Sequence, residues 1–335
     1  MVQIKQNGMI KAETAGSIMV KAYITVEDDG KVKDAIDHLR DTVGAMKNIH
    51  YVYIINELKH VVGVLSIREL LSAHDDLNIK DVMITDVVTL PKNVDQEEAA
   101  QIFRDTDLVS IPVVNRKSEI IGVVHVEDIL DVMEFEATED IHKMGSVVST
   151  TADELEGGLL GASIRFLYRK RIMWLIILVF VNVFSGAGIA HFEDVIAANI
   201  ALVFFLPLLI DSGGNAGSQS ATLVIRAMAT GEVQIRDWFK MITKELVVSA
   251  LIGFTMALAV SLVGVVRGGV DVAIVVSLTM MLIVIVGSII GISLPFLFQK
   301  FKLDPATASA PLVTSIADIS GVLIYFGIAS AILSV

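Results

Sequence analysis

Hydrophobic and polar residues follow two different patterns along the chain, and the pattern changes near residue 165. Before that point, amphipathic helical segments alternate with short β-branched segments, which predicts an α/β domain. After Arg171, charge-free apolar stretches approach the roughly 20 residues that cross a bilayer core. We therefore predict five membrane-spanning helices, at residues 172–190, 195–210, 246–266, 272–299 and 306–334.

The α/β pattern occurs twice. Residues 24–42 match residues 88–106, and residues 53–70 match residues 112–129. Each copy predicts a helix, a strand, a turn at Asn56 or Asn115, a second strand and another helix. Paired modules of this kind bury a sheet against helices, so the first half predicts two similar units with a cleft between them.

Charge divides the chain at the same place. Residues 1–164 hold 29 acidic and 15 basic residues, a net charge of −14, whereas residues 165–335 hold 9 and 11, a net charge of +2. The acidic half disfavours nucleic acid as a partner and attracts cations. The chain has no cysteine, which excludes disulfides and thiolate metal sites.

The basic residues of the second half predict its orientation, because Lys and Arg collect in cytoplasmic loops. Ten of the eleven fall on one side of the five predicted spans, and only Arg267 falls on the other. The sequence therefore predicts a multi-pass protein of the cytoplasmic membrane, in contact with lipid, with a cytoplasmic N-terminal half and an external C-terminus. No apolar signal-peptide core is evident at the start of the chain.

One carboxylate stands in the last predicted span. Asp318 lies 14 residues beyond Asp304, about 21 Å along a helix, and therefore near mid-membrane. Such a residue is costly to insert and by default functional. We also expect Pro311 to free the carbonyl of Thr307 as an oxygen ligand. A second unusual segment, "DSGGNAGSQS" at residues 211–220, predicts an irregular turn at the end of the second span.

These segments together resemble a known family. The repeat is similar to a tandem CBS pair, and "FEATEDIHKMGSV", "GGNAGSQS" and "LDPATASAPLVTSIADISGVLIYFGIA" resemble the MgtE magnesium transporters. The resemblance implies an α/β CBS pair, a connecting helix and an all-α transmembrane domain of five helices. The expected boundaries are a tail at 1–14, CBS repeats at 15–74 and 75–133, the connecting plug helix and linker at 134–164, and the channel domain at 165–335.

The resemblance also implies a mechanism and its residues. It predicts a homodimeric, passive Mg²⁺ channel with a pore between the subunits, in which Asp318 and Asn215 contact the ion. Cytosolic Mg²⁺ then closes the pore by binding acidic residues on and near the plug helix. The corresponding positions are Asp128, Asp131, Glu136, Glu139 and Asp140.

The CBS repeats raise the question of a nucleotide. CBS pairs often bind ATP or AMP through a Ser or Thr and an Asp that follow a glycine, and neither copy has the full set. Ser66, Glu69 and Asp128 are the candidate nucleotide contacts. Family members commonly carry a helical N-terminal domain, which we expect this chain to lack.

Two other functions fit the sequence less well. A transporter of Co²⁺, Mn²⁺ or Zn²⁺ is one alternative, although oxygen ligands without cysteine weaken the case for zinc. A non-transporting, membrane-anchored nucleotide sensor is the other. We do not expect an enzyme, since no catalytic constellation of residues stands out.

Overall fold

The computed structural model describes residues 13–46, 48–147 and 158–333. It divides into two units, Met1–Ala137 and Thr138–Val335. Most of the predicted tail, and residues 148–157 of the predicted linker, lie outside the described residues.

The first unit contains six strands and the helices between them. In chain order these are α1 (Ala15–Ile18), β1 (Ile24–Glu27), α2 (Val32–Thr42), β2 (Tyr51–Ile55), β3 (Val61–Ser66), α3 (Ile67–Ser72), α4 (Ile79–Val82), β4 (Leu90–Pro91), α5 (Gln96–Thr106), β5 (Ser110–Val114), β6 (Ile120–His125) and α6 (Val126–Met144). Helix α6 continues into the second unit.

The predicted repeat is confirmed by the two sheets, which share one topology. Their orders are β1-β2-β3 and β4-β5-β6, with the first pair parallel and the second antiparallel in each. The turns also match, because Asn56 accepts hydrogen bonds from the amides of Leu58 and His60 through Oδ1. Asn115 does the same one repeat later, as expected of an asparagine turn.

The two repeats exchange their first helices. Ala15 of α1 lies in the hydrophobic core of the second repeat, and Ile79 of α4 lies in that of the first. The methionine after each exchanged helix packs on a glycine of the other repeat. A Cβ on Gly63 would lie 2.5 Å from the sulfur of Met83, and a Cβ on Gly122 would lie 2.7 Å from that of Met19. The two repeats are therefore packed as one interlocked unit.

The second unit is helical. It contains α7 (Gly158–Gly161), α8 (Ile164–His191), α9 (Glu193–Ala198), α10 (Ala201–Ala229), α11 (Trp238–Lys300) and α12 (Ala310–Leu333), together with the end of α6. Four segments of its described part are long and apolar enough to cross a membrane: α8, α10, residues 235–300 and α12.

Helix α11 is a hairpin of two limbs. Gly269 has φ 79° and ψ −172°, which breaks the helix between residues 238–268 and 270–300. The limbs then fold back on each other, since the Ser277 hydroxyl donates to the carbonyl of Ala257 and a Cβ on Gly264 would meet Ala273. The glycine permits this backbone conformation, which other residues rarely adopt.

The contacts between helices give their relative directions. Helices α8 and α12 run parallel, because Gly188 packs on Val322 and the rings of Phe192 and Phe326 stack. Helices α10 and α12 run antiparallel, because Gly214 meets Thr314 whereas the Tyr325 hydroxyl donates to Leu202 near the other end. The long helical segments thus alternate in direction along the chain.

Two sequence predictions about this region are wrong. The predicted second span, 195–210, straddles a break after α9, and the helix that follows runs without interruption to Ala229. The glycine-rich segment is therefore helical and not an irregular turn. The physical reason is close packing, since these glycines lie where another backbone approaches.

Candidate functional site

The predicted pore residues meet where α10 crosses α12. Asp211 and Asn215 lie on α10, and Asp318 lies on α12, eight residues after its first residue. A Cβ on Gly214 would contact Thr314 and one on Gly321 would contact Ile210, so the crossing places Asp318 beside Asp211. Two carboxylates and an amide are therefore brought together inside apolar helices.

Asn215 is oriented by its neighbour one helical turn away. Its Nδ2 donates to Oδ2 of Asp211 at 2.9 Å. This bond leaves Oδ1 of Asn215 as an acceptor, directed away from the carboxylate. The amide can thus offer an oxygen to a cation or its water while Asp211 holds it in place.

The site lies on an exposed stripe of α10. We call this the outward stripe, and it consists of Phe204, Leu208, Asp211 and Asn215, spaced three or four residues apart on one helical face. The opposite face is buried, including Leu202, Phe205 and Leu209. Polar groups on an exposed face of an apolar helix must meet water, an ion or another chain, since lipid cannot solvate them.

Glycines fix the position of α10 against the second limb of α11. A Cβ on Gly287 would lie 2.2 Å from the carbonyl oxygen of Gly213, and one on Gly291 would lie 2.0 Å from that of Gly217. Both helices therefore carry glycines four residues apart, a pattern that allows close backbone contact between membrane helices. This contact holds the outward stripe at a fixed angle to the bundle.

Two details near the crossing differ from expectation or were not predicted. Pro311 lies in the first turn of α12, where it breaks no helical hydrogen bond, and the Thr307 carbonyl accepts a bond from the amide of Ser309. The predicted free carbonyl is therefore absent. Conversely, Oγ of Ser218 is buried without a hydrogen-bond partner among the described residues, three residues beyond Asn215.

A second polar cluster lies at the end of α6. Lys143 donates to Glu139 at 2.8 Å and to Asp304 at 2.5 Å. Burial lowers the pKa of Lys143, but hydrogen bonds to the two carboxylates outweigh it and the net change is upward, so the ammonium is retained at neutral pH. The lysine is thus a cation held between two acidic groups.

Asp140 faces the same cluster. Burial raises its pKa to about 6, and repulsion from Asp304 acts in the same direction, while the charges of Lys143 and Arg226 oppose the shift. At neutral pH the carboxylate is therefore mostly ionised, although burial and the negative charge of Asp304 destabilise its ionised form. An added cation would relieve this repulsion.

The other acidic candidates of α6 lie apart from this cluster. Asp131 is exposed, Glu136 accepts a hydrogen bond from Nε2 of Gln96, and burial raises the pKa of Asp128, whose Oδ2 has no hydrogen-bond partner in the described chain. Asp128 and Asp140 are twelve residues apart, about 18 Å along the helix, and cannot share one ion. Within the described ranges, no three His, Asp or Glu side chains are grouped as a metal site.

The nucleotide candidates of the first repeat have a structural role. Oγ of Ser66 accepts from the amide of Glu69, and Oε2 of Glu69 accepts from the amide and the hydroxyl of Ser66. These bonds form a capping box at the start of α3, and they lower the pKa of Glu69.

A cleft in the first unit lies elsewhere. Its lining includes Tyr23, His50, Tyr51 and His125. His125 is only 8% exposed, and its Nδ1 has no hydrogen-bond partner among the described residues. The cleft therefore combines aromatic side chains with a buried imidazole nitrogen that has no hydrogen-bond partner in the described part of the chain.

Several of these residues were not predicted as site residues. Asp211 precedes Asn215 by four residues, and helical spacing would have paired them had the segment not been interpreted as a turn. Asp304 and Arg226 meet the α6 cluster only through the fold, since Lys143 and Asp304 are 161 residues apart. No local sequence signal indicates that contact.

Both halves of the chain are similar to known proteins. Residues 206–328 match the family described as MgtE, divalent cation transporter, and residues 15–76 and 79–134 match the CBS domain. The magnesium transporter MgtE of Thermus thermophilus is 37% identical over 323 residues, which cover 96% of this chain and 70% of that protein. The magnesium transporter MgtE of Bacillus subtilis is 35% identical over 321 residues, with the same coverage.

One solved structure, of the soluble part of a magnesium transporter, is 34% identical and covers 38% of this chain and 50% of its own, with a TM-score of 0.38. The family match and the full-length relatives together cover both the CBS repeats and the helical unit. The chain therefore belongs to the MgtE family of divalent cation transporters.

Proposed function

We propose that this protein is a passive Mg²⁺ channel of the cytoplasmic membrane, formed by two copies of the chain. The ion path runs along the outward stripes of the two α10 helices and past Asp318 of each α12. One observation carries the proposal: Asp318, Asp211 and Asn215 meet on an exposed face inside apolar helices. The membership in a transporter family agrees with the prediction that the chain is not an enzyme.

The chemistry of the site suits Mg²⁺. This ion loses water reluctantly and is usually held by one or two carboxylates while it keeps several waters. Two chains would present four carboxylates and two amide oxygens around one path, which favours a hydrated divalent cation. Both relatives above are named magnesium transporters, whereas Co²⁺, Mn²⁺ and Zn²⁺ remain alternative ions for the test below.

Charge and packing together support a proposed orientation. Counting the two limbs of α11 separately gives five long helical segments of alternating direction, an odd number of crossings. Ten of eleven basic residues in the second half fall on one side of them. We therefore place the CBS pair in the cytoplasm and the C-terminus outside.

Gating is assigned to the acidic residues of α6. Asp304 and Glu139 both repel Asp140, while Lys143, which pairs with each of them, and Arg226 partly offset that repulsion. Cytosolic Mg²⁺ would bind at these groups, with separate ions at Asp128, Asp131 and Glu136, and favour a closed pore. The ion acts through higher affinity for the closed form, as any such ligand must.

A nucleotide is the second ligand of the proposal. The cleft that contains Tyr51 and His125 has the aromatic wall and the unpaired polar group that ATP or AMP would need. We expect Tyr51→Ala to weaken binding of a fluorescent ATP analogue, whereas Ser66→Ala should act on stability through the capping box.

The test of the channel is flux into liposomes that contain only the purified protein. A Mg²⁺-sensitive dye inside the vesicles reports uptake driven by a concentration gradient alone. Uptake without an added energy source supports the channel, and parallel assays with Co²⁺, Mn²⁺ and Zn²⁺ rank the ions. Absence of any cation flux from folded protein would instead favour a membrane-anchored nucleotide sensor.

Asn215→Leu is expected to reduce Mg²⁺ flux by about tenfold or more, since a lost hydrogen bond to a charged group is worth roughly 1.5–3 kcal/mol. Stability should change by less than about 0.5 kcal/mol, because the side chain is exposed. Flux and thermal unfolding of the same preparation measure both effects. Unchanged flux would remove Asn215 from the ion path.

A further inference from the structure

One positive charge lies over the outward stripe. The guanidinium of Arg267 stacks on the ring of Phe204, 4.4 Å from its centroid. Arg267 is two residues before Gly269, at the tip of the α11 hairpin, so the chain reversal delivers it to this position. A cation–π contact of this kind holds the arginine over the ring face.

The contact places the charge in line with the pore residues. Phe204 precedes Asp211 by seven residues on the same face of α10, a distance of about 10 Å along the helix axis. None of the salt bridges among the described residues involves Arg267. Among the described residues, no acidic side chain therefore lies within ion-pair distance of Arg267, and the stripe is positive at this end and negative at its middle.

We infer that Arg267 is an electrostatic barrier at the outer end of the ion path. The inference rests on the proposed function, because it needs cations to move along the outward stripe. In a dimer, two guanidinium groups stand before the four carboxylates, and each repels a divalent ion twice as strongly as a monovalent one. A fixed arginine can limit cation passage in this way without touching the binding site.

The barrier predicts a specific dependence on salt. Charges about 10 Å apart interact across roughly one Debye length at physiological ionic strength, and more strongly in dilute buffer. Removing the positive charge should therefore accelerate uptake most at low ionic strength. The effect should fade as salt screens the remaining charges.

The experiment compares Arg267→Gln with Arg267→Lys in liposomes of neutral lipid. At an ionic strength of about 10 mM we expect Arg267→Gln to raise initial Mg²⁺ uptake about threefold to tenfold, and at about 0.5 M by less than about twofold. Arg267→Lys keeps the charge and should stay near wild type. Phe204→Leu removes the ring on which Arg267 stacks, and it should give part of the increase in uptake expected for Arg267→Gln.

The outcomes separate this inference from the proposed function. Asp318→Asn is assayed in parallel, and its loss of flux supports the pore independently of Arg267. If Asp318→Asn is inactive while Arg267→Gln equals wild type at low salt, the barrier is wrong and the pore stands. A change that is equal at both salt concentrations also overturns the barrier. Wild-type flux from folded Asp318→Asn overturns both.

Discussion

We expect Asp318→Ala to abolish Mg²⁺ flux while the fold and the assembly stay unchanged. One unit charge at about 4 Å contributes on the order of 4 kcal/mol at an effective dielectric constant of 20, and a divalent ion gains about twice that. Losing a carboxylate from each chain should therefore reduce flux by at least about a hundredfold. Uptake by liposomes, normalised to folded protein, gives the measurement.

Two variants make this result specific. Asp211→Asn keeps an acceptor for the amide of Asn215 but removes the second carboxylate, so we expect a smaller loss than at Asp318. Glu193→Gln removes one exposed charge from α9, away from the α10–α12 crossing, and should leave flux near wild type. Wild-type flux from folded Asp318→Ala would contradict the assigned ion path.

The second large effect is expected at the α6 cluster. Replacing Glu136, Glu139 and Asp140 by their amides removes the proposed bridges for cytosolic Mg²⁺. Removing the three negative charges also lowers the repulsion that opposes closure. Without carboxylates, however, Mg²⁺ can no longer bridge the plug helices and favour the closed form, so the channel should lose most of its inhibition by Mg²⁺. Open probability against cytosolic Mg²⁺, in patches or planar bilayers, measures the shift.

A matched control changes the same number of charges elsewhere. Asp34, Asp37 and Asp41 lie on the exposed face of α2, and their triple replacement by asparagine alters net charge equally. We expect its inhibition curve to overlay that of wild type. If the α6 variant also overlays wild type, these residues are not the sensor, and if both triple variants shift alike, net charge alone controls opening.

The N-terminal half shows how far local sequence signals reach. Repeated spacing predicted two modules, and the asparagine turns at Asn56 and Asn115 were found where expected. The exchange of α1 and α4 between the repeats was not predictable, because Ala15 and Ile79 carry no sign of which core they enter. Long-range packing decides that choice.

In the membrane half, by contrast, the local sequence signal of the glycines was misleading. Its low helix propensity in water predicted a turn at residues 211–220, yet Gly213 and Gly217 lie inside α10. In an apolar medium every backbone group needs its helical hydrogen bond, and a missing side chain becomes an advantage where helices touch. The charged residues Arg267 and Asp271, by contrast, correctly marked the reversal at Gly269.

The continuity of α10 has a mechanical consequence. Asn215 and Arg226 belong to one unbroken helix, about 16 Å apart, and Arg226 interacts electrostatically with Asp140 of the α6 cluster. A displacement at Arg226 would therefore be transmitted along the helix to Asn215, the amide of the proposed ion path. The helix interior is weakened at Pro207, on the far side of Asp211, so bending there would leave Asn215 and Arg226 in one rigid segment.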